Sequence, residues 1–135
     1  MKPLRRPADP AKAAKNHLAA VLPGMVAAPS PTFGMVLPAN WSPSSSPPAV
    51  VVFDDSGPTR WPVETRPLLR VTVWTNGRDR GREIAGAALG VLLSHRIAGI
   101  ATITDPSGLL EARDSNNAGQ MTSFTVRARS RTLPV

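Results

Sequence analysis

Two sets of arginines, Arg78, Arg80, Arg82 and Arg127, Arg129, Arg131, carry the residue type and spacing in this chain that could do chemistry. A guanidinium offers a planar fork of donors matched to carboxylate and phosphate, so the chemistry in question is anion recognition. In a strand, a spacing of two places Thr125, Arg127, Arg129 and Arg131 on one face and Phe124, Val126 and Ala128 on the other. At a helix start, Arg78, Arg80 and Arg82 oppose the positive end of the helix dipole and need a compensating reason. Two readings stand for each set. The first set is either a solvated helix start neutralised by Asp79 and Glu83, or a patch that meets acidic groups of a neighbouring subunit or the phosphates of DNA. The second is either a solvated sheet face or a ladder that faces DNA.

Other chemistry finds little support in the residues. The chain has no G-x-S-x-G elbow, no phosphate loop ending in G-K-[ST] and no H-E-x-x-H, so no enzyme, catalytic residue or cofactor is expected. His17 and His95 fall on separate predicted helices without a second histidine at ligand spacing, which favours helix-face or capping roles over a metal site. Asp54-Asp55 could be half of a two-metal centre, but an Asp-Ser-Gly-Pro turn accounts for the pair without metal. Gly77, Gly81, Gly86 and Gly90 follow a strand yet do not match G-x-G-x-x-G.

Composition sets the outer limits. The 135 residues, 41% of them apolar, suit one domain with a modest core. Sixteen basic residues against nine acidic ones give a formal charge of +7, which fits an acidic partner surface, nucleic acid, or simple solubility. With aromatics at 4% and no tyrosine, base stacking and direct base readout are not expected, so any DNA contact would be independent of sequence. Cysteine is absent, which removes disulfides and thiolate sites. Lys2, Arg5 and Arg6 lie in a basic extension over residues 1–8 whose prolines do not resemble a secretion signal. The most apolar segment, Ile84 to Leu93, is too short for a membrane span, so the protein is expected to be soluble, without a membrane partner.

Within residues 9–135, the chain alternates its periodicities. Asp9-Pro10 followed by Ala11, Ala14, Leu18, Val21 and Leu22 predicts an amphipathic helix that stops at Pro23-Gly24. Residues 28–48 hold six prolines and five serines, which predicts an extended connection. Phe33 and Trp41 give it apolar weight and are candidates for lying against the core or a partner. Ala49 to Phe53 predicts a strand ended by turn residues 54–58, and Leu68 to Trp74 its neighbour. A second helix spans about Arg78 to His95, with Asn76 as N-cap and Asp79 at its third position. Gly86 and Gly90 on one of its sides predict a close approach, since helix-interior glycine costs up to about 1 kcal/mol. Two further strands, at residues 100–104 and 109–113, flank a turn at Asp105 to Gly108 that predicts a hairpin, residues 114–119 form a loop, and Met121 to Arg131 is the last strand. This order predicts an α+β fold: a mostly antiparallel sheet of four to five strands with two helices packed on one face.

The succession Val-Val-Val-Phe-Asp-Asp-Ser-Gly-Pro, Trp61-Pro-Val, Arg70-Val-Thr-Val-Trp and Gly77-Arg-Asp-Arg-Gly-Arg-Glu resembles the tail terminator proteins of long-tailed actinobacterial phages. Thr122-Ser-Phe-Thr-Val-Arg-Ala-Arg adds to the likeness, which covers about residues 49 to 131. The resemblance implies a subunit that forms a homo-hexameric ring on the last tail-tube ring, halts tube polymerisation and presents a surface to the head-tail connector. It implies location in the virion, at the head-proximal end of the tail, after assembly in the host cytoplasm. Its partners would be its own copies, the tail tube protein, the connector or neck protein, and genomic DNA crossing the lumen. A closed ring uses two different patches of one subunit. The candidates are the Gly86–Gly90 side of the second helix, with Arg78, Arg80 and Arg82, and the proline-rich connection with Phe33 and Trp41. Arg127, Arg129 and Arg131 are the candidates for the lumen. The alternatives are a ring protein on the head side of the same junction and a free, nonspecific DNA-binding protein.

Overall fold

Local sequence starts the first helix as expected. In the computed structural model, which describes residues 4–135, the Asp9 carboxylate accepts a hydrogen bond from the Lys12 amide at 3.1 Å, and Pro10 occupies the first turn. Helix α1 (Pro10–Val21) buries Ala11, Ala14 and Leu18, and a short 3-10 turn at Leu22–Gly24 closes it. Lys2, in the basic extension, lies outside the described residues. Farther along that extension, β1 (Arg5–Arg6) pairs antiparallel with the carboxyl-terminal β10 (Leu133–Pro134).

The main sheet is built from eight short strands in five columns. The first column is β2 (Thr32–Gly34), and the second is β3 (Ala49–Asp54) continued by β4 (Thr59–Arg60). The third column joins β5 (Glu64–Thr65) to β6 (Leu68–Thr75), the fourth is β9 (Gln120–Arg131), and the fifth holds β7 (Thr102–Thr104) and β8 (Leu110–Arg113). Every pairing is antiparallel except β2 with β3. Helix α2 (Arg78–Ser94) crosses between β6 and β7. The architecture is therefore α+β, with both helices on one face of a mostly antiparallel sheet.

That face holds the principal core. Alternation brings Val50 and Val52 of β3, Leu69, Val71 and Val73 of β6, and Phe124, Val126 and Ala128 of β9 to one side. Leu18 and Leu22 meet them from the first helix and its turn, and Ile84, Ala85, Ala88, Val91 and Leu92 from α2. Each fully buried aliphatic side chain contributes roughly 1.5–3 kcal/mol, which suffices to hold two short helices on the sheet. Gly81 lets α2 come close: a Cβ there would lie 2.5 Å from the Thr122 hydroxyl of β9.

Several expectations need correction. The predicted hairpin around Asp105 to Gly108 does not form; β7 and β8 each pair with β9 instead of with one another. They are two pieces of one edge strand, because Thr104 stands opposite Arg127 and Leu110 opposite Ser123. The intervening residues bulge outward, anchored by the Ser107 amide on the Thr125 carbonyl at 2.9 Å. A partner already waiting in β9 outweighs the local turn signal. Asp54 to Pro58 ends β3 as expected, with Ser56 at φ 67°, but the chain does not lead straight to β6, because it pairs once more at β4. The reversal comes later, where the Val63 amide donates to the Arg60 carbonyl at 2.7 Å.

The N-cap of α2 is Gly77, not Asn76, so Asp79 falls at the second helical position. Thr75 explains the shift, since its hydroxyl donates to the Gly77 carbonyl at 2.8 Å and holds the chain extended one residue further. The connection over 28–48 is mostly irregular, as expected, but contributes the edge strand β2, whose parallel pairing places Phe33 beside Val50.

Candidate functional site

The sheet face turned away from the helices changes character along its length. At one end Trp41, Ala49, Val51 and Trp74 form a second small core, joined by Leu37, Phe53 and Met121. The proline-rich connection folds back to supply Leu37 and Trp41, and its backbone satisfies the indole: Trp41 Nε1 donates to the Pro47 carbonyl at 2.8 Å. Trp74 Nε1 donates to Asp114 Oδ2 at 2.9 Å. The Asn116 amide, then the Trp74 indole, hold the Asp114 carboxyl below its ordinary value of 3.8. Midway, Thr72 and Ser123 share a hydroxyl hydrogen bond of 2.9 Å.

Beyond them the face becomes cationic. The alternation expected for the last strand is present: Phe124, Val126 and Ala128 are buried, while Arg127 and Arg129 are half-buried and Arg131 is exposed. Across the ladder from β9, Leu68 faces Arg127 and Glu64 faces Arg131, with Arg66 between them on β6's approach. Four guanidinium groups, of Arg66, Arg127, Arg129 and Arg131, thus share half a sheet face. Glu64 organises them. Its carboxylate lies 2.8 Å from Arg66 and 3.4 Å from Arg129, and the Arg66 hydrogen bonds lower its pKa from 4.5. Arg127 donates to the Arg66 carbonyl at 3.0 Å. Arg70 completes the border, stacked 4.1 Å from the Phe53 ring centroid and paired with Asp55 at 3.0 Å.

Glu64 was not singled out by its sequence context, because its meaning depends on register. Only the pairing of residues 64–75 against 120–131 sets this carboxylate among arginines distant in the chain.

The other arginine set has internal partners. Arg78 and Arg82 both reach Glu111 of β8, at 3.0 and 3.1 Å. Arg80 pairs with Glu83 at 2.7 Å and also donates to the Ala27 and Pro29 carbonyls. Arg80 thereby clamps the start of the proline-rich connection to α2. Asp79, expected as a neutralising acid, does pair with Arg78, but at 3.7 Å and 99% exposed; Glu111 is the closer partner. The compensating reason for three cations at a helix start is thus found within the chain itself. Glu83 and Glu111 both have lowered pKa values, chiefly through Arg80 and Arg82 respectively.

Gly86 and Gly90 have open space: among the described residues, nothing beyond the helix's own adjoining backbone stands within 4 Å of a Cβ at either position. The close approach expected there is not made by any described element of this chain. Phe33 packs against the main core, and Trp41 is only 6% exposed. Both therefore lie against the chain's own core, one of the two places expected for them, with Trp41 buried there and Phe33 still half-exposed on the edge strand. Val36, 76% exposed, is the apolar side chain the connection leaves outside.

Among the carboxylates considered for metal, Asp54 accepts from the Ser56 amide at 2.7 Å and Asp55 pairs with Arg70. A groove of about 520 Å³ lies between α1 and residues 97–99 and includes His17, Asp9 and Lys12 in its lining. Among the described residues no helix is long and apolar enough to cross a membrane. No protein-family model matches this chain, nor does any curated protein.

Proposed function

We propose that this chain is a structural ring subunit of a phage tail, a tail terminator that caps the tail tube and prepares its end for the head connector. The carrying observation is the half-face of Arg66, Arg127, Arg129 and Arg131 on a sheet otherwise closed by two cores. A surface of this kind, set by backbone alternation and moderated by one carboxylate, suits a lumen through which DNA slides without base readout. The unoccupied side of α2 at Gly86 and Gly90 and the outer side of the connection at Val36 are two different surfaces. Two such surfaces are what a closed heterologous ring needs. In this reading the protein is architectural rather than catalytic, works in the virion, and contacts its own copies, the tube and the connector.

The test is deletion of the gene in its phage, followed by negative-stain electron microscopy of the lysate. Overlong, unattached tubes beside tailless heads are expected. Tails of normal length that fail to join would move the protein to the head side of the junction. Intact virions would leave the nonspecific DNA-binding reading, which the +7 charge favours and which predicts salt-sensitive duplex binding by the isolated subunit.

A further inference from the structure

The fold brings the chain's two histidines together. His17 on α1 and His95 just after α2 are 78 positions apart, yet His17 Nε2 lies 3.0 Å from His95 Nδ1. The rings meet edge to face, with centroids 5.2 Å apart and planes at 85°. His95 is exposed and His17 half-buried, so neither ring is locked in a core. No expectation from sequence paired them, because each helix considered alone shows a single imidazole.

We propose that His17 and His95 form a two-imidazole clip for a divalent transition ion, copper(II) or zinc, that ties α1 to the carboxyl end of α2. Metal–imidazole bonds of about 2.0–2.1 Å place two ligand nitrogens roughly 2.9 Å apart at a right angle and about 3.3 Å apart at a tetrahedral angle. The observed separation lies within that interval, so the nitrogens need not move apart, and turning each lone pair by about 45° from the line joining them brings both onto one ion. In the metal-free pair, one of the two facing nitrogens carries the proton of the hydrogen bond. Binding moves that proton to the same ring's outer nitrogen, leaving both rings neutral and both inner nitrogens free to donate. Burial and the neighbouring His95 ring hold the His17 pKa below its ordinary 6.5, which keeps the ligand form available at neutral pH. Water completes the coordination sphere. Copper(II) should bind more tightly than zinc, following the general order of affinities for nitrogen sites.

The chain's composition makes the test clean, since it contains two histidines and no cysteine. The full-length protein, purified without a histidine tag, is titrated calorimetrically with zinc chloride and with copper(II) chloride at pH 7.5 and again at pH 5. The expected result is one ion per chain at pH 7.5, with affinity at least about tenfold lower at pH 5 and in either H17Q or H95Q. Copper(II) should also show an electron paramagnetic resonance spectrum with two-nitrogen coupling that is lost in each variant. Circular dichroism checks that both variants fold. Absence of binding by the parent protein, or binding unchanged in both folded variants, would overturn the proposal.

Discussion

The two faces of the sheet are made by the same strands and held in opposite ways. Against the helices, Val50, Val71, Val73, Phe124 and Val126 are sealed from solvent and depend on filled volume. On the reverse, order comes from specific partners: Trp74 with Asp114, Thr72 with Ser123, Arg66 and Arg129 with Glu64. A volume-held face punishes any change of size, whereas a partner-held face tolerates size and punishes loss of a polar mate. The contrast also assigns tasks. One face keeps the subunit folded, and the other can be spent on contacts beyond it.

The largest effect expected from this contrast is at Phe124. Phe124→Ala should cost about 3–5 kcal/mol in urea denaturation, because the ring is enclosed by both helices. Replacing Arg129 by Gln on the same strand should cost far less, about 1 kcal/mol or below, because buried Glu64 loses its half-exposed partner at 3.4 Å but keeps Arg66 at 2.8 Å. Equal losses at the two positions would erase the distinction between the faces.

Next in size is Gly81→Ala, expected to cost about 1–3 kcal/mol because the added methyl meets Thr122 and Thr75. Gly86→Ala and Gly90→Ala should do the reverse, each stabilising the free subunit by up to about 1 kcal/mol in thermal melts. If the open side of α2 is the ring contact, the same two variants should fold well yet assemble poorly in gradient sedimentation.

The smallest change is expected from pH. Glu64, Glu83, Glu111 and Asp114 hold protons less tightly folded than unfolded, so their stabilisation is full above their ordinary values of 4.5 and 3.8. It is lost as pH falls through the lower folded values. His17 adds a loss of the same sign that begins at a higher pH, as the unfolded imidazole starts to protonate near 6.5 while the folded one resists. Melting temperatures measured from pH 8 down to 3 should therefore fall in two stages, and H17Q should lack the first.

Much of this arrangement is legible in the residues, and the failures have a common cause. The caps and apolar spacing of α1, the periodicity of α2 and the alternation in β3, β6 and β9 are local signals, and the structure follows them. Asp105 to Gly108 is a turn sequence too, yet the chain returns after it to the same neighbour, because β9 supplies a long-range partner on both sides of the turn. Glu64 beside Arg129, Glu111 beside Arg78 and His17 beside His95 are invisible for the same reason. Each is made by register or helix packing, and a single sequence does not display either.

The ladder between residues 64–75 and 120–131, interrupted only at Arg66–Pro67, has a mechanical meaning. A strand of twelve residues extends about 40 Å, and here it is flanked on both sides. Tension applied along β9 must shear many of its hydrogen bonds together instead of opening them one by one. A drag exerted at the arginine end would thus be shared along the whole strand, making β9 the stiff spar of the subunit.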